Sequence, residues 1–386
     1  METPNPAGEE RRARMDFLGE IPDQRMARTR DHKRIDVLVI GACCLMSGGE
    51  GFNDMESFGK AKREGLETFL ELPEGIPSHD TFNRVFRLLK PKVFMDVFVR
   101  WTQTLRSASN GEIVALDGKA LRRACRKGES MTDVVSAWAA DNGLTLGQVK
   151  VKDKSNENPA IPELLRMLEL GGCIVTIDAM GCQKKIAKEI KESDAEYVLA
   201  LKGNQETVHD EVRLFFNELI PPDPAFGIPP PPPEAMRYLQ TQDGDPGRIE
   251  TRRFWLSHDV SWFAERDKWE GLHCFGMAES LREIGSERSY ERRFFLASIE
   301  HDVACFAKAC RSHWGVENPL HWTLDVTLRE DNSRARSGHA AENLAAVRRL
   351  ALNVFKKNAP DPSLSTRRRK LMAGWNNDYL GSLLGI

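Results

Sequence analysis

Two short apolar segments of this 386-residue chain each end on an aspartate. The segment EIVALD carries Asp117 and the segment CIVTIDAM carries Asp178, and both have the apolar run of a short buried strand. If the two strands lie in one sheet, their carboxylates can meet at one edge. A single aspartate in such a place usually caps a turn, but two neighbouring carboxylates stay ionised only when a cation neutralises them. Because hard oxygen ligands favour Mg²⁺ or Mn²⁺ over zinc, the pattern indicates a divalent-metal site.

A third acid lies in the segment HWGVENPLHW, where Glu317 stands between His313 and His321. Together with Asp325, these residues recur at every fourth position, which would place them on one face of a continuous helix. Pro319 interrupts this pattern, because proline removes a helical hydrogen bond and starts or kinks a helix. The spacing therefore predicts that His313 and Glu317 lie close together and leaves the alignment of all four residues open.

Zinc binding by His313, Glu317 and His321 is an alternative interpretation of the same segment. Their spacing differs from His-Glu-x-x-His, and Pro319 lies between the ligands, so the zinc hypothesis is the weaker one. The two tryptophans of the segment are predicted to be core residues rather than platforms for base stacking.

The elements that must position these residues change in character along the chain. Residues 15–105 are predicted to be helical, with Ser78 or Asp80 as the N-cap of one helix. From about residue 111, strands and helices follow in the order β-β-β-α-β-α-β-α, which predicts a mixed sheet covered by helices. The first hairpin of this part is predicted at Asp141-Asn142-Gly143.

A proline-rich stretch, PPDPAFGIPPPPPE, interrupts the α/β pattern and is predicted to be an extended connector. Further strands follow it, and the chain is predicted to be helical again from about 301 to 357. The predicted parts are a disordered N-terminus (1–14), a helical N-terminal domain (15–105), the first part of the α/β core (106–217), a β-rich insertion with its connector (218–300) and C-terminal helices of the core that carry Glu317 (301–386).

The composition limits the partners and the compartment. Lys and Arg number 55 and Asp and Glu 57, for a formal net charge of −2, so a polyanion would have to be held by local basic patches. The eight cysteines form no CxxC and several lie in apolar runs, which predicts reduced thiols in a cytosolic protein. The longest apolar run is shorter than the roughly 20 residues that span a bilayer, so no membrane partner is expected.

Several motifs in one order resemble a known family. ALDGKALR, TIDAMGCQ, YVLALKGNQ, RSHWGVENPLHWTLDVTLREDNSRAR and ENLAAVRRLALNVFK closely resemble the DDE transposases of bacterial insertion sequences, and most of all the group of H-repeat-associated proteins. The resemblance covers nearly the whole chain, including the helical N-terminal segment.

This resemblance implies an RNase H-like catalytic core with a β-rich insertion, preceded by an all-helical N-terminal domain that binds DNA. It places the catalytic and metal-binding triad on Asp117, Asp178 and Glu317, with two Mg²⁺ or Mn²⁺ ions as cofactors. The implied activity is metal-dependent DNA strand cleavage and strand transfer at the ends of an insertion sequence. The implied partners are double-stranded DNA and a second copy of the chain in a homodimer, in the bacterial cytoplasm and on the nucleoid when bound to DNA.

DNA contacts are predicted for basic and polar residues that flank these motifs. His313 stands where many relatives carry the arginine of a Tyr-Arg-Glu-Lys signature, and Cys310 stands in place of its tyrosine. The residues predicted to contact DNA are Lys119, Arg122, Arg123, Arg126, Lys202, Asn204, His313 and His321.

A different class of function also fits the sequence. A domesticated or inactive transposase would keep DNA binding and lose cleavage. The presence of all three acids, Asp117, Asp178 and Glu317, argues against such decay. Cleavage of DNA in the presence of Mg²⁺ distinguishes the two hypotheses.

Overall fold

The protein has an α/β fold with one mixed sheet of nine strands in the part of the chain that the structure describes. The predicted disordered segment 1–14 and Arg126 lie outside the described residues. The computed structural model describes residues 16–26, 30–107, 109–125, 132–151, 159–245 and 247–386.

The strands follow one another in the sheet in the order β3-β2-β1-β4-β5-β9-β8-β7-β6. The strands are β1 Ile113–Leu121, β2 Thr132–Ala139, β3 Leu144–Lys150, β4 Ile174–Ile177, β5 Glu196–Leu201, β6 Met236–Asp245, β7 Arg248–Ser257, β8 Cys274–Ile284 and β9 Glu287–Ala297. Strands β1, β4 and β5 are parallel neighbours, whereas β5 with β9 and all pairs from β9 to β6 are antiparallel.

Helices before, between and after the strands form most of the remaining regular structure. The α-helices are α1 Arg34–Met46, α2 Phe52–Ala61, α3 Arg63–Leu66, α4 His79–Leu88, α5 Pro91–Leu105, α6 Ala160–Leu165, α7 Lys184–Glu192, α8 Glu206–Leu219, α9 Val303–Gly315, α10 Ala340–Lys357, α11 Thr366–Trp375 and α12 Asn377–Leu384. A π-helix, Glu317–Thr327, lies between α9 and α10.

The described chain divides into two compact units. The first unit comprises the described parts of Met1–Ser107, Gly118–Asn156 and Glu317–Ile386. The second comprises those of Ala108–Asp117 and Glu157–Val316. The chain therefore passes between the units within β1, directly after Asp117, and again directly before Glu317.

Helix α1 is the centre of the first unit. Every residue from Asp36 to Met46 is buried, and α2, α4 and α10 pack around the helix. A helix that is apolar on all sides needs such a complete cover. The predicted N-cap at Ser78 of α4 is confirmed, because its hydroxyl accepts a hydrogen bond from the Thr81 N–H at 3.3 Å.

Helices α5 and α10 cover strand β3 of the same unit. The predicted hairpin is confirmed: β2 and β3 pair antiparallel, and Gly143 adopts the left-handed backbone (φ +63°) that the turn requires. The side-chain amide of Asn353 on α10 both donates to the carbonyl of Thr145 at 2.8 Å and accepts from its N–H at 2.9 Å. This fully buried amide thus pairs with both backbone groups of Thr145 on β3, as the backbone of a neighbouring strand would.

In the second unit, α9 packs against the sheet at β4, β5, β6 and β7. The close approach at β8 depends on Gly276, because a Cβ atom there would lie 2.4 Å from the ring of Phe306 on α9. The proline-rich connector is held at Phe226, whose carbonyl accepts from Arg253 of β7 at 3.1 Å and whose ring lies 3.9 Å under the same guanidinium.

Two sequence predictions of the elements were incomplete or wrong, and the prediction for the cysteines was confirmed. Strand β6 was not predicted, because MRYLQTQDGD is largely polar and lacks an apolar alternation. The segment from 301 to 357 is not continuously helical, since residues 333–336 have no regular structure. All eight cysteines are free thiols, as predicted, and six of them are buried.

Replacing Asn353 with alanine is expected to destabilise the protein by about 2–4 kcal/mol, because it leaves a buried N–H and a buried C=O of Thr145 without partners. Urea denaturation followed by circular dichroism measures this. Asn358→Ala is the control, because Asn358 is only partly buried and donates a single bond, to the Leu383 carbonyl at 2.9 Å. Equal losses for the two variants would contradict the assigned role of Asn353.

Candidate active site

Two of the three predicted acids lie side by side at one edge of the sheet. Strands β1 and β4 pair in parallel, and the last pair in register is Leu116 with Ile177. Asp178 follows the last residue of β4 as predicted, whereas Asp117 lies within β1, which continues to Leu121 instead of ending on the aspartate. Both aspartates are half-buried. Since neighbouring strands are about 4.8 Å apart, the two carboxylates leave the sheet as direct neighbours.

Asp178 also caps a turn, as the simpler interpretation of the sequence expected. Its Oδ1 atom accepts a hydrogen bond from the Met180 N–H at 3.2 Å at the start of a short 3₁₀ turn. Within the described residues, Asp178 forms no ion pair with a lysine or arginine. The capping bond occupies one oxygen, which leaves acceptor capacity on this carboxylate for a cation.

The third parallel strand, β5, contributes the turn that holds Asp178 in place. Leu199 lies opposite Ile177, and β5 ends two residues later, so Lys202 leaves the sheet at the same edge. The side chain of Asn204 donates to the carbonyl of Ala179 in the turn after Asp178. Of these two predicted DNA contacts, Asn204 thus has a structural bond, and Lys202 is exposed at the edge.

His313 lies on α9, which packs on β4, and its Nδ1 atom is 3.1 Å from the hydroxyl of Thr176. Burial lowers the pKa of His313 to about 4, since the favourable charge of Asp178 is outweighed by burial together with Arg293 and Lys202. The imidazole is therefore neutral at physiological pH. It can take part in hydrogen bonds beside Asp178, but it is not a cation that would attract phosphate.

Glu317 is the first residue of the π-helix and is exposed. Within the described residues it forms no ion pair with a lysine or arginine. The alignment on one continuous α-helix, which the sequence left open, is not found for His313, Glu317 and Asp325, because the α-helix ends at Gly315 and i→i+5 bonding follows. Pro319 is tolerated because it lies in the first turn of the new helix, where its missing N–H costs little.

The acidic group that follows Glu317 is neutralised within the protein. The ammonium of Lys119 on β1 lies 2.6 Å from Asp325, 3.1 Å from Glu330 and 3.3 Å from Asp331. We call Lys119, Asp325, Glu330, Asp331 and Arg349 the Lys119 cluster. The side chain of Lys119 is only 7% exposed, so its position favours an internal role over the predicted contact with DNA phosphate.

Arg349 of α10 completes the Lys119 cluster. Its guanidinium donates to Glu330 at 2.8 Å and to the hydroxyl of Ser136 on β2 at 3.1 Å, and it is fully buried. Burial opposes the negative charge of Glu330, but Arg349 and Lys119 outweigh it and lower the pKa of this carboxyl to about 2. The cluster therefore consists of acids and bases that form ion pairs with one another.

His321 lies on the π-helix beside this cluster. Burial, together with the positive charges of Arg349 and Lys119, lowers its pKa to about 4. Two cations next to the imidazole disfavour a bound zinc ion, so the environment speaks against the zinc hypothesis. In the described part of the chain, no three His, Cys, Asp or Glu side chains form a group that could hold a metal ion.

Of the remaining predicted contacts, Arg122 and Arg123 lie on the surface, and so does Trp322, whereas Trp314 is half-buried. Arg122 and Arg123 are exposed; Arg122 lies 3.4 Å from Asp331, and the carbonyl of Arg123 accepts from Arg336. Trp322 is 55% exposed, so the prediction that it belongs to the core is wrong.

Comparison with known proteins places the chain in a family. Residues 108–354 match the family model described as a transposase DDE domain, and residues 15–102 match the model of the segment associated with it. The chain belongs to the family of transposases with this DDE domain, and it is a DDE-type transposase.

Full-length relatives agree with this assignment. The chain is 36% identical over 376 residues to "Putative transposase YncI" of Escherichia coli O157:H7, covering 96% of this chain and 94% of the relative. It is 34% identical over 377 residues to "H repeat-associated putative transposase YhhI" of Escherichia coli K12, covering 96% and 97%. The expected membership of the H-repeat group is therefore confirmed.

A cryo-EM structure of the piggyBac transposase synaptic complex with hairpin DNA is a distant structural neighbour. The TM-score is 0.39 at 10% identity, covering 94% of this chain and 80% of that chain. Among the described helices of the present protein, none is long and apolar enough to cross a membrane.

The two histidines predict how stability changes with pH. Because the pKa values of His313 and His321 are lower in the folded chain (about 4) than the ordinary value of about 6.5, the unfolded chain binds more protons between these limits. Their contribution to stability is complete above about pH 6.5 and is lost as the pH falls toward 4. We expect a loss of about 2 kcal/mol from each histidine, about 4 kcal/mol in all, between pH 7.5 and pH 5.

Urea denaturation at the two pH values measures this loss. Replacing both histidines with glutamine should reduce the difference between pH 7.5 and pH 5, because the titrating groups are removed. An unchanged difference in the double variant would show that other groups cause the pH dependence.

Proposed function

We propose that this transposase cuts DNA at the ends of an insertion sequence and joins the freed 3′-hydroxyl to target DNA, with Asp117, Asp178 and Glu317 as the catalytic carboxylates. The observation that carries the proposal is the parallel register of β1 and β4, which makes Asp117 and Asp178 direct neighbours. Membership of the DDE family supports the third acid at Glu317, in the segment HWGVEN.

The chemistry of these carboxylates suits a divalent metal, although the three acids do not by themselves form a metal-binding group among the described residues. Asp178 and Glu317 have no lysine or arginine ion pair within the described residues, whereas the acids of the Lys119 cluster are neutralised by protein cations. Carboxylate oxygens are the ligands that a hard divalent ion prefers, and the register of β1 and β4 brings two of them together. Asp117, Asp178 and Glu317 would therefore hold Mg²⁺ or Mn²⁺, two ions in all, and the Lys119 cluster would hold none.

Two such ions would activate a water or a 3′-hydroxyl and stabilise the leaving oxygen of a phosphodiester. The chain itself orients the ligands: the turns after β4 and β5 are joined by Asn204, which fixes the position of Asp178. Neutral His313 bonds with Thr176 beside it and adds no positive charge that would compete with a cation. No covalent enzyme intermediate is needed for this reaction.

The arrangement of strands also supports an RNase H-like core. Strands β1, β4 and β5 are parallel, and β2 with β3 form an antiparallel hairpin next to them in the sheet order. Strands β6 to β9 form a continuous antiparallel run, which supports the predicted β-rich insertion between α8 and α9. We assign the helical part before residue 106 to recognition of element ends, and a homodimer to the pairing of two ends.

The metal-dependent reaction is tested with labelled DNA that carries the sequences flanking the reading frame. Wild type is expected to cut with Mg²⁺ or Mn²⁺ and not in excess EDTA. Glu317→Gln keeps the size of the side chain but removes its charge, so cleavage should fall by about two orders of magnitude or more. Folding and DNA binding should remain, because Glu317 is exposed and forms no ion pair among the described residues.

His321→Gln is the matched control in the same segment and should lose far less activity. A Glu317→Gln protein that cuts like wild type, or that loses activity only because it has unfolded, would contradict the assignment. Asp117→Asn and Asp178→Asn should behave like Glu317→Gln, and combining them should add little, because the three groups act as one unit. A wild type that binds this DNA but never cuts it would identify an inactive derivative.

The basic segment after β1 is expected to contact phosphate. Replacing Arg122, Arg123 and Arg126 together with glutamine should weaken DNA binding and reduce its dependence on salt concentration, since fewer counterions are released. Gel-shift titrations at several salt concentrations measure both effects. An unchanged salt dependence would place the DNA elsewhere on the protein.

A further inference from the structure

We propose that Lys119 is a positioning residue for cleavage: its ion pairs link strand β1, just after Asp117, to the π-helix that begins at Glu317. This inference rests on the proposed catalytic roles of Asp117 and Glu317. Lys119 was predicted from the sequence to contact DNA, and its burial suggests this different role in the reaction.

The link is made by a few short contacts within the first unit. Lys119 is two residues after Asp117, so the two side chains lie on the same face of β1. The ammonium of Lys119 contacts Asp325 of the π-helix at 2.6 Å, and Glu330 just beyond it at 3.1 Å. The segment that starts with Glu317 is thereby joined to the strand that carries the first catalytic acid.

A second cation, Arg349, stabilises the acids that Lys119 contacts. Arg349 of α10 bonds to Glu330 at 2.8 Å and to Ser136 of β2 at 3.1 Å. Lys119, Glu330 and Arg349 are all less than one-tenth exposed, so each depends on the others for neutralisation. Removal of Lys119 leaves carboxylates buried or half-buried without their nearest cation.

The π-helix needs such a link more than an ordinary helix does. Extended i→i+5 bonding is uncommon, and the π-helix here runs over 11 residues. One side of it is held by the buried Leu320 and Leu324, while Trp322 and Val326 are exposed. Asp325 is its charged attachment to β1, and we expect residues 317–327 to change conformation more readily when this attachment is lost.

The test compares Lys119→Met, which keeps most of the side-chain length, with Arg369→Met. Arg369 is a suitable control, since it is also 7% exposed and lies in the same unit, but it bonds to the carbonyls of Phe355 and Pro362 and not to the π-helix. Each protein is measured for unfolding in urea, DNA binding without metal, cleavage per folded molecule as a function of Mg²⁺, and hydrogen exchange of residues 317–327.

Lys119→Met is expected to bind DNA nearly as wild type does and to cut it about tenfold to a hundredfold more slowly per folded molecule, because a catalytic group is misplaced. It should need several times more Mg²⁺ for half-maximal cleavage and exchange faster in residues 317–327. Lys119→Arg, which keeps the charge, should recover part of the activity. Arg369→Met should lose stability without these changes.

Two results would overturn the proposal. One is a folded Lys119→Met protein with the cleavage rate, Mg²⁺ requirement and hydrogen exchange of wild type. The other is an equal effect of Arg369→Met, which would reduce the role of Lys119 to general stability. If Lys119→Met does not fold, Asp325→Asn breaks the same link from the other side. If wild type itself does not cut DNA, the proposed function fails, and hydrogen exchange in the variants still decides whether Lys119 holds the π-helix.

Discussion

Negative charges that are brought together must be neutralised, and the parallel pairing of β1 with β4 imposes this requirement on the fold. The register makes Asp117 and Asp178 neighbours at the edge of the sheet. A second acidic group follows the π-helix, and there Lys119 and Arg349 supply the positive charge from within the protein. The acids of the Lys119 cluster are thus neutralised by side chains of the protein, whereas Asp117 and Asp178 are the proposed ligands of a metal ion. Among the described residues no lysine or arginine pairs with Asp178, and the proposed Mg²⁺ or Mn²⁺ would supply the positive charge there.

Strand β1 takes part in both arrangements. Its parallel pairing with β4 ends at Leu116, and Asp117 is the next residue. Lys119 is two residues after Asp117 and therefore lies on the same face of β1. A shift of one residue in the pairing would turn both side chains to the opposite face of the sheet. Correct register is therefore a condition for the proposed catalytic acid and for the Lys119 cluster at once.

The sequence was sufficient where the signal was local. Apolar runs ending on an aspartate predicted the strands of Asp117 and Asp178, and Asp141-Asn142-Gly143 predicted the hairpin. It was insufficient where residues far apart in the chain meet. Lys119 was predicted to contact DNA, and its contact with Asp331, 212 positions away, could not be predicted. The π-helix could not be predicted either. Residues spaced by four positions lie on one side of an α-helix and on nearly the same side of a π-helix, so this spacing does not distinguish the two. The exposure of Trp322 depends on the geometry of the π-helix, so it could not be predicted without knowing that helix.

The contrast between the two acidic groups bears on whether the chain is an active enzyme or a derivative that only binds DNA. The Lys119 cluster stabilises the folded chain by mutual neutralisation, so a protein under selection for folding alone would keep it. Glu317 is exposed and forms no ion pair with a lysine or arginine within the described residues, so the fold gives no electrostatic reason to keep an acid there. Residues that the fold does not require are retained where a function requires them. The presence of Glu317 in the segment that leads to the Lys119 cluster therefore favours cleavage over DNA binding alone.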